Sequence, residues 1–227
     1  MSSIITREED LFNIMIDFVD NKSTSNVKVI SIVGGAASGK STLAHNFVEW
    51  LYRVKSKNAC TLSTDDYVVG DRVYRRENLE GKDPLLKYKP SILNDNIDTI
   101  KGLKGDDTCL VPTYNDVTGE AVDAKVYTKK ISAVDYIIIE GDFNFVDNFD
   151  LLVYFDVDDD TRLLNRISRD KAVRNESNVE AITNNFHLRQ KLQHIPYTAP
   201  VKDIADMVIF ADKASPSDRY TYSIKTK

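Results

Sequence analysis

The run Gly34-Gly35-Ala36-Ala37-Ser38-Gly39-Lys40-Ser41 satisfies every position of the pattern G-x-x-x-x-G-K-[ST]. Each residue type has a chemical reason. Glycines permit turns that a side chain would block. A backbone turned in this way aims successive N–H groups at an anion, and the helix that follows adds its own favourable field. Lys40 is placed to reach the outer phosphates of a nucleotide, and the Ser41 hydroxyl to ligate Mg²⁺. Gly34 through Thr42 are therefore the candidate nucleotide-binding residues. The pattern alone recurs by chance in many chains. Here it joins an apolar β-branched run, 27–33, to a helix with Leu43, Phe47, Leu51 and Val54 on one face, which is the context the chemistry needs.

Three further sets of residues carry charge where it could act. Asp65 and Asp66 follow a short strand, 59–63; a carboxylate there can orient a hydroxyl and take its proton, or it can simply cap a turn. Glu140 ends the apolar run VDYIIIE. A carboxylate at that edge of a parallel sheet suits Mg²⁺, or faces solvent. Arg162, Arg166, Arg169 and Arg174 punctuate one helical segment, with Arg166 and Arg169 three apart on one face. They serve either as cations for phosphate or as a solvated face paired with Asp158, Asp159, Asp160 and Asp170. His45, His187 and His194 have no metal-ligand spacing and read as structural.

These residues need a scaffold, and the pattern supplies one. Thr6 and Glu9 have capping-box spacing ahead of Leu11, Ile14, Met15 and Phe18, which predicts an N-terminal helix. Segment 70–90 reads as irregular surface. Ser91 is expected to cap a helix to Leu103, 108–112 to form a strand, and 114–130 a hairpin or excursion with Gly119 in its turn. Segments 134–140 and 150–157 read as buried strands, 160–174 and 179–192 as helices, and 207–210 as a last strand. Strands alternating with helices predict an α/β fold, a mostly parallel sheet covered on both faces. One domain is expected: an N-terminal helix and connection (1–26), a core (27–211) containing a lid and its following helix (160–192), and a polar, fraying tail (212–227).

Composition bounds the function. The chain has 227 residues, 42% of them hydrophobic, and a net charge of -5. That balance disfavours a nucleic-acid partner. The apolar runs fall far short of the roughly 20 residues needed to span a bilayer, and the N-terminus lacks a secretory pattern. With two cysteines, Cys60 and Cys109, in apolar surroundings, the expectation is a cytoplasmic protein with no membrane partner.

Taken in order, GGAASGKST, STDDY, PTYND, IIIEGDFNF, DVDDDTRLLNRISRD and ADMVI resemble the uridine kinase and phosphoribulokinase family of small-metabolite kinases, over about 27–210. The resemblance implies a P-loop NTPase-type three-layer sandwich with a helical lid, ATP as phosphoryl donor and Mg²⁺ as its metal. It implies that Asp65 acts on the acceptor hydroxyl, with Lys40 and Arg169 assisting the transfer. It puts Ser41, Glu140 and Asp65 near the metal, Arg166 and Arg174 with Arg169 on the phosphates, and Tyr67, Asp83 and Tyr114 on the acceptor side. The partner implied is a small-molecule acceptor: uridine or cytidine first, then another nucleoside, pantothenate, a sugar or a sugar phosphate. Homo-oligomerisation stays open.

The sequence departs from the family in three places. The charged stretch GKDPLLKYKP fits poorly where pyrimidine kinases have a substrate-contacting Asp near a Pro, with Asp83 as its candidate. Asn175-Glu176 stands where members often have Gly-Arg. Gly119 stands where uridine–cytidine kinases carry a His. Two readings from other classes remain: a nucleotide-binding regulator without turnover, and a GTPase-type switch. The second is disfavoured, because Asp116 to Gly119 fits D-x-x-G but no N-K-x-D follows.

Overall fold

The computed structural model describes residues 4–115, 119, 128–174, 176–213 and 218–227, with only the backbone of 173 and 174. The β-branched runs form β1 (Lys28–Gly34) and β2 (Ala59–Ser63), then the short β3 (Thr108–Pro112) and β4 (Thr128–Ser132). They are followed by β5 (Tyr136–Gly141), β6 (Leu151–Asp156), β7 (Met207–Asp212) and β8 (Thr221–Thr226). The main sheet has the order β2-β5-β1-β6-β7-β8. All pairs in it are parallel except β7 with β8.

β1 is buried on both faces, as a strand in a parallel sheet covered by helices must be, and its side chains alternate between two cores. Ile30 and Ile32 join a core with Leu11, Met15, Phe47, Leu51 and Val153. These come from α1 (Glu8–Lys22) and α2 (Lys40–Lys55) as well as from the sheet. Val29 faces the other side, against Leu62, Ile137 and Ile139. Leu93, Ile97 and Ile100 cover that side from the helix that precedes β3. The result is the expected three-layer sandwich. Phe47 is fully buried and stacks on Phe12, ring centroids 4.8 Å apart. Phe47→Ala is expected to lower stability by about 3–5 kcal/mol, read by urea unfolding, because the cavity adds to the lost transfer free energy.

Several sequence expectations are corrected. The α1 helix begins after Arg7, with no side-chain cap, so Thr6 and Glu9 form no capping box. Segment 70–90 is largely ordered. Asp71 accepts a hydrogen bond from the Tyr74 N–H and starts α3 (Arg72–Leu79), and a short 3-10 helix spans Pro84–Lys87. No residue of α3 is buried, which is why hydrophobic period did not reveal it. The next helix, α4 (Pro90–Gly102), starts on Pro90, one residue before the expected Ser91 cap. Proline's fixed φ and missing N–H suit the first helical position.

The strands β3 and β4 pair with each other in a separate two-stranded sheet. Most of the excursion between them, including Asp116, lies outside the described residues. After β6 come α5 (Asp159–Arg174) and α6 (Val179–Arg189), then a π-helical segment Gln190–Thr198, which takes over the end of the helix expected to stop at 192 and runs six residues beyond it, and α7 (Val201–Ile204). Residues 214–217 of the expected fraying tail lie outside the described residues. Beyond them the tail becomes β8, on the edge of the main sheet, with Tyr222 buried in the core. No helix of the described residues is long and apolar enough to cross a membrane.

Candidate active site

The phosphate loop runs from the end of β1 into α2, and its shape depends on what touches it. A Cβ on Gly35 would lie 1.7 Å from Nη1 of Arg162, so only glycine lets that buried guanidinium close on the loop. Gly39 is left-handed (φ 94) and precedes α2 with no side-chain cap, leaving the first N–H groups of the helix unclaimed by a side chain. Ala37 is also left-handed (φ 64), which costs an alanine about 1–2 kcal/mol. Such a residue persists where its surroundings fix it. Ser38 Oγ and two nitrogens of Arg162 are buried without hydrogen-bond partners. Together with the uncapped helix start, these orphaned donors fit a polyphosphate.

Lys40 is buried. Its Nζ donates to Gly35 O at 2.9 Å and to Asp142 Oδ1 at 3.0 Å. The Asp142 carboxyl, though desolvated, is held below the usual carboxylate range by Lys40 first and then by Arg189 and Arg162. Sequence reasoning missed Asp142. It stands two residues after Glu140, the last but one residue of β5, in register with Ser63 on one neighbour and Ile32 on the other.

The STDDY turn sends its two carboxylates to opposite destinations. Ser63 and Asp66 form a capping box around a 3-10 helix, Thr64–Tyr67. Asp66 is buried and accepts from the Tyr114 N–H at 2.7 Å and the Ser63 N–H at 3.3 Å, with Lys129 at 3.7 Å. It is an internal brace. Asp65 turns the other way and is exposed. The protein around it still desolvates its carboxyl, and the charges of Asp142 and Glu140 add to the effect. Arg189 and Lys40 act in the opposite sense, and its pKa is pushed up to about 6.

A chain of four aromatic rings starts beside Asp65 with Tyr88. The Tyr88 hydroxyl lies 3.4 Å from Asp65 Oδ1. Its ring packs on Phe143 and Phe145, and Phe143 packs in turn on Tyr197. Tyr67, expected on the acceptor side, is instead a core residue whose hydroxyl accepts from Asn96. Asp83 caps the 3-10 helix Pro84–Lys87 and bonds Tyr197, at the rim of the aromatic group. Tyr114 is half-buried at the end of β3, tied through its backbone to Asp66.

The arginines divide between two spaces. Arg166 pairs with Asp170 at 2.5 Å and faces a small pocket of about 20 Å³, with Asp142, Arg189 and His194. Burial, with Arg189 and Arg169 nearby, lowers the Arg166 pKa to about 10. Arg169 faces a groove of about 930 Å³ that runs along the start of α2. The Arg174 side chain lies outside the described residues. Arg189 also escaped sequence reasoning, yet its field reaches Asp65, Asp142 and Tyr88. Among the described residues no three His, Cys, Asp or Glu side chains cluster as a metal cage. Mg²⁺ takes one or two protein oxygens and completes its shell from phosphate and water. The Ser41 hydroxyl and the Glu140 carboxylate are hard oxygen donors of the right kind.

The model of the Phosphoribulokinase / Uridine kinase family matches residues 29–214. The chain belongs to that family. A uridine kinase of Staphylococcus haemolyticus is 30% identical over 195 residues, covering 82% of this chain and 88% of that one. Among solved structures, D-glycerate 3-kinase from Cryptococcus neoformans superposes with a TM-score of 0.68 at 11% identity, covering 95% of this chain and 98% of that one. Phosphoribulokinase from Rhodobacter spheroides gives 0.61 at 18%, covering 90% and 81%. At those identities the two structures bear on the fold alone. The phosphate loop and the start of the Asp65 turn both stand at the carboxyl ends of sheet strands, where ligands bind in open α/β folds.

Proposed function

We propose that this chain transfers the γ-phosphoryl group of ATP to a hydroxyl of a small acceptor, with a nucleoside such as uridine or cytidine as the first acceptor. The observation that carries the proposal is the Asp65 carboxylate, left exposed by its capped turn and within the field of Lys40, Glu140, Asp142 and Arg189. In this reading the loop and the start of α2 bind the phosphates, and Lys40 exchanges Asp142 for a phosphate oxygen. Asp65 orients the acceptor hydroxyl and takes its proton as the new O–P bond forms and the bond to the β–γ bridging oxygen breaks. Lys40, Arg166 and Arg169 stabilise the charge left on the departing diphosphate. Ser41 and Glu140 would hold Mg²⁺, which supplies charge neutralisation on the phosphates when bound. The lid helices exclude water that would otherwise hydrolyse ATP.

Two observations support a nucleoside: the relative named uridine kinase, and the rings of Tyr88, Phe143, Phe145 and Tyr197, against which a flat base can stack. One observation favours a different alcohol, such as a sugar or sugar phosphate. Gly119, where the resemblance calls for an imidazole, sits against Arg72 in a left-handed turn, and a Cβ there would lie 2.3 Å from Arg72 Cγ. Free, partly to fully buried thiols at Cys60 and Cys109 support a reducing, cytoplasmic setting. An ATP-consumption assay across nucleosides, pantothenate, sugars and sugar phosphates decides the matter. Stimulation by uridine or cytidine is the expected result. Stimulation by a sugar alone would move the acceptor, and silence across the whole panel would favour a regulator that binds nucleotide without turnover.

A further inference from the structure

The family match ends at residue 214, but the chain beyond it returns to the phosphate loop. The Tyr220 hydroxyl donates to Ser38 O at 3.1 Å and accepts from Asn165 Nδ2 at 3.0 Å. The same amide of Asn165 donates to Ala37 O at 3.0 Å. Two successive carbonyls of the loop are thus held from outside it, one by the lid helix α5 and one by the residue that leads into β8.

Holding those carbonyls also orients the amides. A peptide unit is planar, and its C=O and N–H point in opposite directions. Fixing Ala37 O and Ser38 O against Asn165 and Tyr220 turns the N–H groups of Ser38 and Gly39 to the other side. Ser38 N–H then meets Gly35 O at 3.2 Å, which closes the loop on itself. Gly39 N–H, in the same peptide unit as the Ser38 carbonyl, is aimed away from the Tyr220 hydroxyl. Ala37, the alanine in left-handed backbone, lies within the clamped stretch, so the clamp also accounts for how that conformation is kept.

The tyrosine is preorganised for this task. Its ring packs edge-on against Phe155 at 6.1 Å and beside Tyr222 at 6.2 Å, with Lys213 Nζ over it at 4.3 Å. Its edge comes within 3.6 Å of where a Cβ on Gly39 would lie. The ring is fixed by the core, leaving the hydroxyl with little freedom to lose when it bonds.

We propose that Tyr220 is a positioning residue of the nucleotide site, which sets the Ala37–Gly39 peptides for a polyphosphate, so that the C-terminal strand is a working part of that site. The proposal rests on the nucleotide-binding reading given above, and its test separates the two. Tyr220→Phe keeps the ring and removes only the hydroxyl. Titrating a non-hydrolysable ATP analogue with Mg²⁺ into the full-length protein is expected to show an affinity about tenfold weaker than wild type, with the melting temperature nearly unchanged. In steady state the KM for ATP rises while the KM for the acceptor stays put. Asn165→Ala is expected to weaken ATP binding similarly, and the double variant to lose less than the product of the two effects, because both act on one network. Wild-type affinity in Tyr220→Phe overturns this proposal alone, as does a loss that merely follows a lowered melting temperature. Wild-type protein that binds no ATP at all ends both readings.

Discussion

Asp65→Asn protein is expected to bind ATP as wild type does and to turn over at least about 100-fold more slowly, in the range set by loss of a positioned general base. The amide fills the same space, and the hydroxyl-orienting contact survives in part. The proton acceptor does not. Single-turnover kinetics beside an ATP-binding titration separate the two effects. Turnover within a few fold of wild type would remove Asp65 from the reaction. The wild-type rate is also expected to fall on the acid side, as pH drops through the pKa of this carboxylate. That value is about 6 without ligands, and a bound cation would move it down.

The same carboxylate carries a stability prediction whose sign is fixed. Its folded pKa lies above its ordinary value of 3.8, so between those two values the native state holds the proton more tightly than the unfolded chain does. Stability from this group is full below about pH 4 and is lost as pH rises through about 6. In metal-free buffer at pH 7.5, Asp65→Asn is therefore expected to melt above wild type, and the gap to close as pH falls toward 4. A variant that gains stability while losing turnover is the usual mark of a strained functional charge. A variant that melts lower at neutral pH would mean the carboxylate braces the fold.

The phosphate loop was legible because strand, glycine turn and helix are local, and each is written in one stretch of sequence. The residues alone left Asp65 and Asp66 open, and the resemblance chose Asp65. What sends Asp66 inward is partly the Tyr114 N–H, 48 residues further along the chain, which no local pattern reveals. Asp142 left a signal that was not used. It is a carboxylate just past the end of an apolar strand, the kind of position that singled out Asp65 after β2. The edge strand β8 left one as well, since Tyr220, Tyr222 and Ile224 alternate with polar residues. Arg189 left none. Its nearness to Asp65 and Asp142 depends on how α6 packs on α5 and on the π segment that begins at Gln190. Neither is encoded in its neighbours' types. Tyr67 misled because an aromatic beside a candidate base invites a substrate role, while its burial depends on α4, packed from thirty residues away.

Lys40→Ala is expected to have the other large effect, and it should act on two observables at once. The ammonium is buried and already bonded to Gly35 O and Asp142, so it is the cation the site holds fixed before any ligand arrives. Removing it takes away a preorganised charge aimed at the transferred phosphate. A loss of about 10²–10³ in turnover follows from that alone, along with weaker ATP binding. It also leaves Asp142 without its main partner in a desolvated place, which pushes that carboxyl back up and lowers the melting temperature at neutral pH. Adding Asp142→Asn to Lys40→Ala should recover the melting temperature, because no unpaired carboxylate remains, and should leave turnover as low as before. If the double variant recovers both, the lysine serves the fold and its position in the phosphate loop is incidental to phosphoryl transfer. If it recovers the melt alone, the ion pair is the resting state of a cation whose work begins when phosphate displaces Asp142.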